Sequence, residues 1–78
     1  MRITNFKAFD SDNSQLSVDA YGNNIAFQCL KCGHPILGIA RLNQRGSDLK
    51  HPASCKKCGV LHYLHIVEAE NKIYIKLI

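Results

Sequence analysis

The chain has 78 residues, with 46% hydrophobic content, four cysteines and no tryptophan, a size that excludes two independent domains because each needs roughly 50 residues or more. Domains this small leave much apolar surface wet and commonly draw on disulfides, a metal or a partner to complete their stability, which directs attention to the cysteines. The formal charge is +4; no apolar run approaches the roughly 20 residues of a membrane-spanning helix, and Met1 to Lys7 is not followed by the unbroken apolar stretch of a signal peptide, so the expectation is a cytoplasmic protein without membrane association.

In chain order the hydrophobic pattern reads as strands. Arg2 to Phe9 suits a first strand, although Ile3, Phe6 and Phe9 at three-residue steps also fit a short helix, and Asp10-Ser11-Asp12-Asn13-Ser14 ends either one. Leu16, Val18 and Ala20 alternate with Ser17, Asp19 and Tyr21; Gly22-Asn23-Asn24 supplies turn chemistry, and Ile25, Phe27 and Cys29 alternate with Ala26 and Gln28, which predicts a hairpin. Ile36 to Leu42 is a further strand, bracketed by Pro35 and by the loop composition of Asn43-Gln44-Arg45-Gly46-Ser47-Asp48. Val60 to Val67 is rich in β-branched and aromatic residues, Glu68-Ala69-Glu70-Asn71 makes a polar turn, and Ile73, Ile75 and Leu77 alternate with Lys72, Tyr74 and Lys76, the clearest hairpin in the chain.

The cysteines form two pairs, Cys29-Leu30-Lys31-Cys32-Gly33 and Cys55-Lys56-Lys57-Cys58-Gly59, with 22 residues between Cys32 and Cys55. Two intervening residues let the chain double back so that both sulfurs of a pair face one centre. A glycine after the second cysteine accepts a positive φ and is expected to bring its backbone N–H towards a thiolate. Two such knuckles supply four sulfurs at about 2.3 Å to one tetrahedral Zn²⁺, which closes the coordination shell. Cys29, Cys32, Cys55 and Cys58 are therefore the candidate ligands of one zinc ion per chain.

Set among strands, these two Cys-x-x-Cys-Gly knuckles resemble those of the zinc-ribbon class, over roughly residues 25–78. The resemblance implies a knuckle in each of two hairpins and a small sheet held at its end by the metal, and it carries over the four cysteines alone. Zinc ribbons serve many unrelated functions, so the resemblance implies a fold and a metal before any activity. Transcription-elongation-type ribbons carry an Asp-Glu pair on a hairpin tip; this chain has no Asp-Glu dipeptide and offers Arg45-Gly46-Ser47-Asp48 in its connecting loop instead. Rubredoxins share the double knuckle and bind iron for electron transfer. They are similar to one another in an acidic composition, a core tryptophan and a proline in the second knuckle, where this chain is basic, lacks tryptophan and has Lys56. Structural disulfides and a redox-active dithiol are the other uses of four cysteines.

Charge is uneven. Residues 29–59 hold Lys31, Arg41, Arg45, Lys50, Lys56 and Lys57 against Asp48 alone, a local +5. A divalent metal on four thiolates contributes −2, which leaves the segment at +3. These six basic residues are the candidate contacts to nucleic acid or another anion. Phe27, Tyr63 and Tyr74 are candidates for stacking on bases, with core or cross-strand packing as their ordinary alternative. His34 and His51 precede prolines, and His62 and His65 have opposite parity on one strand, so the four histidines do not form one site; each is expected at the surface or half-buried. No nucleophile and base pair, phosphate-binding glycine loop or open metal position is legible, so no enzyme activity and no small-molecule substrate are expected.

The sequence thus predicts a mainly β, small zinc-ribbon-like domain of antiparallel hairpins with a metal-bound knuckle end: an N-terminal strand or hairpin element over 1–24 and a ribbon core over 25–78. Its expected role is a non-enzymatic structural-zinc binding module that is nucleic-acid-binding or associated with transcription or translation. The alternatives are a zinc-stabilised protein-interaction module, docking through the apolar edge Ile73 to Ile78, and an iron electron carrier of rubredoxin type.

Overall fold

The computed structural model describes residues 2–39, 47 and 49–78. The protein is mainly β, and the described residues form eight strands: β1 (Lys7–Phe9), β2 (Gln15–Leu16), β3 (Asp19–Tyr21), β4 (Asn24–Gln28), β5 (Pro35–Ile39), β6 (Ala53–Ser54), β7 (Leu61–Val67) and β8 (Lys72–Leu77). A 3-10 turn, Glu68–Glu70, joins β7 to β8, closed by Asn71 in the left-handed region at φ 54°. No helix among the described residues is long and apolar enough to cross a membrane.

The strands form two sheets, β3-β4-β5 and β2-β1-β8-β7-β6. In the first, a two-residue loop of Gly22 and Asn23 sets Tyr21 opposite Asn24, and β4 pairs β5 from Asn24↔Ile39 to Gln28↔Pro35. In the second, β7 and β8 pair antiparallel over His62↔Leu77 to Val67↔Lys72. Both are the hairpins that the alternating pattern predicts, because period-2 apolar residues can bury one face of a strand only in that conformation.

The N-terminal segment departs from the expectation of a strand from Arg2 to Phe9. The chain turns at Thr4 and Asn5, where the Phe6 N–H donates to the Ile3 carbonyl at 3.0 Å, and only Lys7–Phe9 is extended. The three-residue spacing of Ile3 and Phe6 reflects this turn. The strand that follows lies parallel to β8, with Lys7↔Lys72, Ala8↔Ile73 and Phe9↔Tyr74 in register. Arg2 to Ile3 meets the other sheet, the Ile3 N–H donating to the Gly22 carbonyl at 2.6 Å. Residues 2–24 thus contribute to both sheets.

The parallel pairing also corrects the view of Ile73 to Ile78 as an edge. The first half of β8 is flanked by β1 and β7; its ladder is one-sided only from Ile75 to Leu77. Ile73 and Ile75 are fully buried, whereas Leu77 and Ile78 are exposed. The strand expected over Ile36 to Leu42 runs over Pro35–Ile39, and Ala40 to Leu42 lie outside the described residues.

The two sheets share one core, made of Ile25, Phe27, Ile36 and Cys29 from one and Ala8, Leu64, Ile73, Ile75 and Cys55 from the other, with Ile3 between them. Complete burial of an isoleucine contributes about 1.5–3 kcal/mol relative to leaving it exposed. The sheets approach closely at Gly38 on β5, where a Cβ would meet Phe27, Ile25 and the Leu64 side chain of the opposite sheet at 3.2, 3.3 and 3.4 Å. Ser47 ties the sheets through hydrogen bonds. Its hydroxyl accepts from the Ile39 N–H at 3.0 Å, its N–H donates to the Ile39 carbonyl at 2.7 Å, and its carbonyl accepts from the Leu64 N–H at 2.8 Å.

Candidate metal centre

The first cysteine pair lies in the connection from β4 to β5 and the second in the connection from β6 to β7. Each knuckle is closed by the same two backbone bonds. In the first, the Cys29 N–H donates to the His34 carbonyl at 2.8 Å and the Gly33 N–H to the Cys29 carbonyl at 2.9 Å; in the second, the Cys55 N–H donates to Val60 at 2.9 Å and the Gly59 N–H to Cys55 at 2.8 Å. Gly33 and Gly59 both have φ 81°. A Cβ at either position would meet nothing within 4 Å, so the requirement for glycine there is conformational and not spatial.

The glycine N–H groups face carbonyls, not the sulfurs that the sequence reading assigned to them. Other amides of the knuckles do donate to sulfur, among them Lys31 and Cys32 N–H to Cys29 Sγ at 3.4 and 3.5 Å, and Cys58 N–H to Cys55 Sγ at 3.5 Å. The tight turn points the amides after the first cysteine back at its sulfur, which stabilises negative charge there.

All four sulfurs lie within 4.8 Å of one another, with Cys29 and Cys55 buried and Cys32 and Cys58 exposed. The shortest approaches cross between knuckles, Cys29 to Cys58 at 3.6 Å and Cys32 to Cys55 at 3.5 Å, whereas a disulfide spans about 2.05 Å. A tetrahedral shell with metal–sulfur bonds of about 2.3 Å places its sulfurs about 3.8 Å apart. The donor set therefore fits a single ion that prefers soft thiolate ligands in tetrahedral geometry, and the four-cysteine cluster marks a metal-binding module.

The thiols are unequal. Burial pushes the Cys29 thiol up, but the Cys32 and Lys31 amides and the neighbouring Cys58 and Cys32 sulfurs together carry it below its usual value. The Cys58 amide, with that of Lys57 and the Cys32 and Cys58 thiols, outweighs burial at Cys55 and brings it down to about 6. At Cys32 the His34 amide favours the thiolate, yet burial and the Cys55, Cys58 and Cys29 sulfurs prevail and push it up to about 11. The amides of the two turns thus favour the thiolate form at Cys29 and Cys55, the form in which sulfur binds a metal.

His62 is the residue that sequence reasoning misplaced. It is fully buried, not half-exposed, on the apolar face of β7 with Leu64 and Ile66. Its Nε2 accepts from the Leu30 N–H at 3.1 Å, and its ring meets the edge of Phe27 at a centroid distance of 5.6 Å. The neutral ring then carries its proton on Nδ1. That nitrogen has no hydrogen-bond partner of good geometry among the described residues, although the Ala53 carbonyl across the ladder favours a proton there; burial outweighs this and lowers the pKa below 6.5. The signal for this role was parity: His62 shares its face with Leu64 and Ile66. His65, of opposite parity, is exposed, as are His51 and, to half, His34.

Among the candidate anion contacts, Lys31, Lys56 and Lys57 are exposed on the knuckles, and Lys50 is exposed in the segment before β6. Arg41 and Arg45 lie outside the described residues. Of the candidate stacking residues, Phe27 is buried in the core, which removes it from that role, while Tyr63 and Tyr74 are half-buried on the outward face of the five-stranded sheet. Compared with known proteins, the chain matches no family model, no curated protein and no solved structure.

Proposed function

We propose that the protein is a non-enzymatic zinc-ribbon-like module: Cys29, Cys32, Cys55 and Cys58 hold one structural Zn²⁺, and the domain so stabilised binds nucleic acid. The convergence of four sulfurs within 4.8 Å from two knuckles of identical backbone form carries the first half of this reading. Four thiolates satisfy a tetrahedral ion and leave no open position for a substrate or water, so the metal's contribution is to folding: it cross-links the β4–β5 hairpin to the β6–β7 hairpin. Zinc is favoured over iron because the chain departs from the rubredoxin pattern: it is basic, lacks tryptophan and has Lys56 where rubredoxins carry a proline in the second knuckle. The nucleic-acid half is supported by the +5 of residues 29–59, which a metal–thiolate centre reduces to +3.

Elemental analysis of protein purified without added metal, with an absorbance spectrum of the same sample, tests the metal. One zinc per chain and no visible colour supports the reading; iron with colour replaces it by electron transfer, and no metal removes its basis. Titration of a labelled oligonucleotide over a range of salt tests the partner. Affinity that falls steeply with salt is expected, and no binding at low salt rejects the nucleic-acid role.

A second reading is favoured by the exposed end of the chain. Leu77 and Ile78 are 45% and 63% exposed beside the one-sided stretch of β8, and such a strand end can accept a partner's strand. In that case removal of Leu77 and Ile78 impairs partner capture and leaves zinc content unchanged.

A further inference from the structure

The outward face of the five-stranded sheet was not singled out by the cysteine pattern or by the basic middle segment. Alternation puts Lys7 and Phe9 of β1, Lys72, Tyr74 and Lys76 of β8, and Tyr63 and His65 of β7 on this face, opposite the buried Ala8, Ile73, Ile75, His62 and Leu64. The parallel pairing of β1 with β8 makes the arrangement: Phe9 is in register with Tyr74, and Tyr74 with His65, so three rings form one row across three strands. Their centroids are 5.9 Å apart for Phe9 and Tyr74 and 6.2 Å for His65 and Tyr74, tilted by 36° and 38°. Tyr63 stands one step along β7, opposite Lys76.

Lysines flank the row on both sides. Lys7 and Lys72 are paired in register on one side of it and Lys76 lies on the other. Residues two apart on a strand are about 6.8 Å apart, so Lys72, Tyr74 and Lys76 present charge, ring and charge at a spacing comparable with one nucleotide. None of the strand residues on this face is acidic. The Glu70 carboxylate, in the turn before β8, lies 3.4 Å from the Lys72 ammonium, which is also 5.5 Å from the Phe9 ring centroid. Cross-strand aromatic pairs stabilise sheets wherever they occur, but that role requires neither outward exposure nor a border of cations on both sides.

We infer that this face is a platform for single-stranded nucleic acid, on which Tyr74, with Phe9, His65 and Tyr63, stacks unpaired bases while Lys7, Lys72 and Lys76 track the phosphates. The inference rests on the nucleic-acid reading above and moves its centre from the knuckles to the sheet. A polyanion is the occupant that the charge selects, and the ring row selects the single-stranded form, because a duplex keeps its base faces stacked on one another and offers only edges and phosphates. Stacking accepts any base, so little sequence preference is expected.

The test is fluorescence anisotropy with labelled oligothymidylate, oligouridylate and a blunt duplex of equal length, on the zinc-loaded protein. Both single strands bind and the duplex binds more weakly; a preference between the two single strands tells DNA from RNA. His65→Ala, at an exposed position, weakens binding several-fold, and Tyr74→Leu, which keeps an apolar residue on the strand, weakens it about ten-fold or more. Lys7→Gln with Lys76→Gln lowers the slope of log affinity against log salt by about 1.4. Zinc content and circular dichroism report the fold, and if Tyr74→Leu fails to fold, the His65 and lysine variants decide the question. If these variants bind as the parent does while Lys31→Gln, Lys56→Gln and Lys57→Gln together abolish binding, the platform is overturned and the nucleic-acid reading survives at the knuckles. Equal or tighter binding of the duplex overturns the platform in the same way. No binding of any probe at low salt overturns both.

Discussion

The two knuckles are the same piece of backbone in different surroundings. Each has a buried first cysteine, an exposed second cysteine, a glycine at φ 81° and the same pair of closing hydrogen bonds. They differ at the position after the first cysteine. Leu30 packs against the core and gives its N–H to the buried His62, whereas Lys56 is exposed. The first knuckle is therefore fastened to the body of the protein by a contact independent of any metal, and the flanking strands β4 and β5 pair over five residues. The second is flanked on one side by β6, which has only two residues. Local geometry is repeated because four residues and a glycine are enough to define it, while anchoring is not repeated because it depends on which side chains the rest of the fold brings near.

The largest effect expected on this pair is common to both. Cys29→Ser or Cys55→Ser should abolish stoichiometric metal binding and unfold the knuckle end, since a structural metal such as zinc contributes on the order of 10–16 kcal/mol against a net stability of about 5–15 kcal/mol. Elemental analysis and proton–nitrogen NMR dispersion of the variants measure it; an intact spectrum without metal would break the equivalence of metal and fold. Next comes the anchor. His62→Leu leaves the partly buried Leu30 N–H without its acceptor and should lower the stability of the metal-loaded protein by about 1–3 kcal/mol in urea denaturation. An unchanged midpoint would show that the first knuckle needs no tether. Gly33→Ala and Gly59→Ala should each cost about 1–2 kcal/mol, and equally, because both have the same φ and open space around the new Cβ. A marked inequality would reveal strain that the backbone does not display.

Acid sharpens the contrast further. Burial lowers the pKa of His62 below 6.5, so the folded protein keeps the ring neutral while the unfolded chain protonates it. Above about pH 6.5 its contribution is complete. As the pH falls below that value the unfolded state binds the extra proton, and stability declines by up to about 1.4 kcal/mol per pH unit until the folded pKa is reached. His62→Gln retains an acceptor without a titrating group, so its urea midpoint should fall less than the parent's between pH 7 and pH 5.5. Proton competition for the thiolates affects parent and variant alike, and the difference between the two slopes isolates the histidine. The smallest effect is at Lys56: Lys56→Ala should change stability by no more than about 0.5 kcal/mol, whereas Leu30→Ala, at the equivalent position of the anchored knuckle, should cost more.

Much of this was legible in the chain. Alternation placed the β4, β7 and β8 strands and their turns, and the spacing of Cys29, Cys32, Cys55 and Cys58 announced a cluster, because both signals are local: period 2 defines a strand's buried face, and two residues between cysteines define a knuckle. Ile3 and Phe6 were ambiguous because three-residue spacing suits a single turn as well as a helix. The role of the knuckle glycines is half legible in the sequence. Their positive φ follows from local geometry, but the direction of their N–H groups follows from where the Cys29 and Cys55 carbonyls lie.

What the sequence determined by itself was the strand content and the four sulfurs, each encoded within a few consecutive residues. Only the tertiary structure decided that β1 lies parallel to β8, that His62 reaches across to Leu30, and that Phe9, Tyr74 and His65 share one row. Phe9 and Tyr74 are separated by most of the chain, and their register is set by the burial of Ala8 and Ile73 on the opposite face, a packing condition that no local pattern in the sequence contains.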